Sequence, residues 1–167
     1  MDMGVRFTRV VLAGFLLTVV MAVAGYGAPG GSSSVSVAAA AGIDITVPGA
    51  ASIGSTVPGS CGSSTPSAVN VKSNKAWNLQ IRSEPVGYPN GKAKNGTTEM
   101  YNAFQYKGAD VASFTSVTSS YANLYGSNQL KTAGAGVDVS MTYQQCVDYS
   151  DSPATYTIVV EYLGIQP

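Results

Sequence analysis

Two stretches near the C-terminus, Val137 to Tyr143 and Tyr156 to Leu163, constrain this chain more than any other feature in it. In steps of two, Val137, Val139, Met141 and Tyr143 alternate with Asp138, Ser140, Thr142 and Gln144. That is the period of a β-strand with one buried and one wet face. In the second stretch Tyr156, Ile158, Val160 and Tyr162 share one face, and β-branched residues dominate both. Asp148, Ser150, Asp151, Ser152 and Pro153 between them are turn formers. The pattern predicts an antiparallel hairpin with a long polar loop and Cys146 in the turn region. A lone hairpin is marginal in water, so the rest of the chain must supply further strands.

The chain has 167 residues, of which 11% are charged, with nine Lys or Arg against nine Asp or Glu and no histidine. A neutral balance favours neither nucleic acid nor an anionic membrane surface. The absence of histidine removes the commonest general base, the Ser-His and Cys-His nucleophile pairs and the usual zinc ligand. The reading is therefore not an enzyme, and no cofactor or metal is expected. Residues 1–24 read as a signal peptide: Arg6 and Arg9 precede the apolar run Val10 to Val23, and Ala22-Val23-Ala24 offers a small-x-small cleavage site. Export makes Cys61 and Cys146 one disulfide, 85 residues apart. Closing such a loop stabilises by about 4–5 kcal/mol on the chain-entropy model.

Residues 25–34, rich in Gly, Ser and Pro, are expected to be a flexible linker. Residues 35–47 follow, with Val35, Val37, Ala39, Ala41, Ile43, Ile45 and Val47 on alternate positions. This stretch is either the first strand of its own domain or a donor arm that completes the sheet of a neighbouring molecule. Residues 48–167 form the domain. Turns at Pro48-Gly49 and Pro58-Gly59 and strands at Ala68 to Lys72, Ala76 to Arg82 and Met100 to Lys107 are predicted, with short strands between Ala112 and Leu130. Trp77 and Leu79 fall on one face as core anchors, and Asn95-Gly96-Thr97 is a glycosylation sequon in the loop Ser83 to Thr98. No long amphipathic helix appears. The fold class is all-β: an antiparallel, immunoglobulin-like β-sandwich of about seven to nine short strands with an extended N-terminal arm.

Val71 to Leu79, a strand, a turn and then Trp77-Asn78-Leu79, resembles the first Trp-x-Leu motif of the WxL-type cell-surface domains. Thr155 to Leu163, running on to Pro167, is similar to that family's closing strand, with Glu161 where a second tryptophan stands in the family. The layout also resembles secreted sandwich proteins, pilins and matrix fibre subunits among them, that polymerise by donating an N-terminal strand. That resemblance implies an extracellular or cell-surface protein whose partners are copies of itself in a head-to-tail polymer. The alternative is a carbohydrate- or cell-wall-binding module, in which Tyr88, Tyr101, Tyr106, Tyr121, Tyr125 and Tyr149 would line a sugar-binding face. The carboxylates allow two further arrangements. Asp110, Asp138, Asp148 and Asp151 lack the spacing of a Ca²⁺ loop and read as turn residues. Glu84, Glu99 and Glu161 are the carboxylates available for an acid and base pair.

Overall fold

The structure is a computed structural model that describes residues 36–167, and the unit Ala39–Pro167 is considered by itself. Residues 1–24, the linker 25–34 and Val35 lie outside the described residues. Eleven strands, all antiparallel, follow in chain order: β1 (Ile43–Thr46), β2 (Ser60–Ser63), β3 (Ser67–Ser73), β4 (Trp77–Ser83), β5 (Lys94–Asn95), β6 (Thr98–Glu99), β7 (Gln105–Gly108), β8 (Val111–Ser116), β9 (Ala122–Gln129), β10 (Val137–Val147) and β11 (Val160–Ile165). There is no helix among the described residues. One sheet has the order β1-β3-β10-β7-β8, with β2 also on β10, and the other is β11-β4-β9. With the two-residue pair β5–β6 set aside, nine strands build the sandwich.

The long strand β10 is the axis of the first sheet. Its inward residues Val139, Met141 and Tyr143 are buried, as are Val69 and Val71 of β3 and Tyr106 of β7. Against them the second sheet sets Trp77, Leu79 and Ile81 of β4 and Leu124 of β9, giving one contiguous core. Trp77 meets Tyr125 edge to face at 5.6 Å, and its indole N–H donates to the Leu130 carbonyl at 2.9 Å, so the polar end of the ring is satisfied inside. Strands β2 and β3 lie end to end along one edge of β10, divided at Pro66, which has no N–H to give a ladder. Ser64 bridges the break: its N–H donates to the Tyr143 carbonyl and its Oγ accepts the Tyr143 N–H.

Three expectations are corrected. Strands β10 and β11 do not form a hairpin: β10 pairs with β2, β3 and β7, whereas β11 pairs with β4 in the opposite sheet. With partners already on both edges of β10, the returning chain crosses the sandwich, and residues 148–159 are the crossing. Cys146 is not in a turn; β10 runs on to Val147 and sets Cys146 directly opposite Cys61 of β2, where the two are joined. Residues 100–104 are not strand, although Met100 and Phe104 are buried, and the loop before them contains the short hairpin β5–β6 turned by Gly96 at φ 58°.

Candidate functional site

Strand β1 is the edge of its sheet, so its outer ladder has no strand partner among the described residues. It is held by four register pairs with β3, from Ile43↔Ser73 to Thr46↔Asn70. Ile43 and Ile45 are half-buried and reach across the gap between the sheets to β11. Their Cδ1 atoms lie 2.7 and 2.6 Å from where a Cβ on Gly164 would stand, so a side chain at that point of β11 would displace the tips of both isoleucines. Two side chains tie the start of the strand. Asn74 donates to the Ala40 carbonyl at 2.6 Å and accepts the Gly42 N–H at 2.9 Å, and Gln166 donates to the Gly42 carbonyl at 2.8 Å. Ahead of these ties, Ser36 to Ala41 belong to no strand; Ala39 and Ala41 are exposed, as is Val47 beyond β1.

Past Thr46 the seam between the sheets is no longer closed by strands. Residues 47–58 on one side and residues 151–160 on the other wall a groove of about 910 Å³. Its floor is the end of β10, with Tyr143 and Gln145, together with Met100 and Phe104. Phe104 stacks on Tyr143 at 5.7 Å. The Tyr143 and Tyr162 hydroxyls bond to each other across the two sheets, and burial pushes both phenols well above their usual titration range. Gln145 is 7% exposed; its amide nitrogen donates to the carbonyls of Asn102 and Cys146, while Oε1 has no partner among the described residues. Asp151 is the one charged residue on the wall among the described residues, and its two oxygens accept the backbone N–H groups of Tyr101 (2.7 Å) and Asp148 (2.8 Å).

Glu84, Glu99 and Glu161 each make bonds of their own. Two backbone N–H groups, of Val86 and Gly87, hold Glu84 below the usual carboxylate range. The Asn90 amide, with Lys94, does the same for Glu99. Glu161 pairs with Arg82 at 2.7 Å, and Arg82 also covers the Tyr121 ring. Asp110 accepts from Gly126, Asp138 from Asn70 and Asp148 from Ser150, and no cluster of three metal-ligating side chains occurs among the described residues. The tyrosines do not share one face: Tyr106 is buried, Tyr125 packs on Trp77, Tyr88 reaches Thr157, and Tyr101 and Tyr149 are exposed. Asn95 is exposed in the β5–β6 hairpin, with its amide donating to the Thr155 carbonyl at 2.8 Å. Comparison with family models, with curated proteins and with solved structures finds no match to this chain.

Gln145 and Phe104 of the groove are additions to the residues singled out from sequence, whereas Ile158 was read as an inward-face residue and Met100 as the start of a strand. One signal for Gln145 was present: it keeps the parity of Val139, Met141 and Tyr143, which puts an amide on the inward face of β10. The wall of residues 47–58 carried none, because it is an irregular segment.

Proposed function

We propose that this protein is a non-enzymatic, secreted structural protein: a subunit of an extracellular or cell-surface fibre that assembles by exchange of its N-terminal strand. The observation that carries the reading is the position of β1. It is a four-residue edge strand whose two isoleucines fill the seam beside Gly164, and it enters the sheet from a strandless, small-residue segment. The same strand from a second copy would make the same backbone bonds and fill the same seam, so transfer between molecules exchanges like contacts for like. Passed head to tail, such an exchange does not close and builds a filament. Export is supported by the basic and apolar start of the chain and by the Cys61–Cys146 disulfide, a bond that persists in oxidising compartments.

Light scattering and negative-stain imaging of the purified protein test the reading. Species far heavier than the 17.1 kDa chain, seen as thin fibres, are expected, and deletion of residues 35–41 is expected to leave a monomer. Continued polymerisation after that deletion would show that the arm is not the connector.

A further inference from the structure

One motif of the chain has no part in strand exchange: Asn95-Gly96-Thr97. Of the eight asparagines in the sequence, only Asn95 is followed two positions on by Ser or Thr. The fold carries this triplet to the tip of the β5–β6 hairpin. Asn95 and Thr98 are its last register pair, Gly96 at φ 58° turns the chain, and residues 95–98 are exposed without a break. Apart from its chain neighbours, no described heavy atom lies within 4 Å of where a Cβ on Gly96 would stand, so the tip stands clear.

N-linked glycosylation needs two groups, the asparagine amide that takes the sugar and the hydroxyl two residues on that the transferase reads. Both are presented here. Asn95 Nδ2 carries two hydrogens, and one is donated to the Thr155 carbonyl at 2.8 Å, which leaves the second for substitution. A glycosylated amide keeps one N–H, so the bond to Thr155 survives the modification. Thr97 is exposed, and its hydroxyl has no hydrogen-bond partner among the described residues. The hairpin beneath them is held on two sides. Lys94 exchanges backbone bonds of 2.8 Å with Thr157, and its Nζ pairs with Glu99 across the hairpin at 3.2 Å. Asn90, in the other Asn-Gly pair, shows the contrast: Lys92 stands where the hydroxyl is needed, and the Asn90 amide is spent on both oxygens of Glu99.

We infer that Asn95 carries an N-linked glycan. In the transfer, Nδ2 bonds to the anomeric carbon of a polyprenyl-phosphate-linked oligosaccharide and gives up one proton. The anomeric C–O bond breaks, and the lipid phosphate leaves with the electron pair. The inference rests on the export part of the proposed function and not on fibre formation. The test is mass spectrometry of the protein isolated from the organism that makes it, reading the N-terminus and the Asn95 peptide in one sample. A chain that begins after Ala24 is expected, with the peptide heavier by whole sugar residues and fragmentation placing them on Asn95. Thr97→Ala should abolish the added mass and Thr97→Ser should keep it, and both leave the Asn95 bond to Thr155 in place. If either variant loses its near-UV circular dichroism, fragmentation of the natural protein decides alone. A chain processed after Ala24 with a bare Asn95 would overturn the inference and leave export standing, whereas an unprocessed chain with a bare Asn95 would overturn both. Sugar on Thr97 or Thr98 in place of Asn95 would overturn it as well.

Discussion

The two halves of β10 share one backbone and one period but are covered in different ways. At Val139 and Met141 the inward side chains meet the β4 row of Trp77, Leu79 and Ile81, and both Met141 and Leu79 are fully buried; Val137, of the same parity, is exposed at the start of the strand. From Tyr143 to Val147 the inward residues face irregular chain and a groove, and the strand is pinned instead by the disulfide to β2 and by the Tyr143–Tyr162 hydroxyl pair. Alternation therefore fixes which face of a strand turns inward. What covers that face is decided elsewhere: where a second regular sheet is available it becomes core, and where only loops are available it becomes the floor of a groove.

That contrast can be broken or sharpened by perturbation. The largest effect is expected from the double substitution C61S/C146S. Releasing a closure of 85 residues should cost about 4 kcal/mol in urea denaturation, and a loss below about 1 kcal/mol would mean that side-chain packing, not the cross-link, holds the groove half. Next, Leu79→Ala in the packed half should cost about 3 kcal/mol, whereas Ile53→Ala on the groove wall, a half-buried residue, should cost about 1 kcal/mol; equal losses would erase the distinction between the halves. Tyr162→Phe removes one hydroxyl of the pair that joins the sheets beside the groove and should cost about 1 kcal/mol, read in the same way.

The smallest effects are those of pH. With no histidine, the melting temperature should be nearly flat from about pH 5 to 8. Glu84 and Glu99 have folded values held below 4.5, so the stability they contribute is present above that value and is lost as pH falls through their depressed folded values. The buried phenols Tyr143 and Tyr162 are raised above 10.0, so their contribution is complete below that pH and is lost as pH rises through the raised values. Calorimetry across pH 3 to 11 should therefore show a plateau with a decline at each end; a step near pH 6.5 would contradict it.

The packed half was legible in the sequence and the groove half was not, for a physical reason. The β-sandwich class, the strands at β3 and β4 and the inward face of β10 follow from alternation, because a residue's parity alone decides its face. The disulfide followed from two cysteines in a chain whose start reads as a signal peptide. The hairpin expected between β10 and β11 was a statement about partners, and parity carries no information about those: β10 was already filled by β2, β3 and β7, so β11 went to β4. Alternation also continues through Tyr156 and Ile158, yet regular strand begins only at Val160, because there only Thr157 finds a bridge, to Lys94. Gly164 illustrates the same limit, since its need for space comes from Ile43 and Ile45, more than a hundred positions earlier in the chain.

The central claim is that β1 leaves its own sheet when molecules assemble. Asp44 and Lys72 are direct cross-strand partners on the exposed face of β1 and β3, so a D44C/K72C variant can lock β1 to its own chain. The measurement is the mass of the oxidised variant by light scattering, with both disulfide pairings verified by peptide mapping and D44S/K72S as the unlocked control. The account predicts a monomer for the locked protein and fibres for the control. Fibres from the locked protein would contradict it, because they would form with β1 still bound to β3.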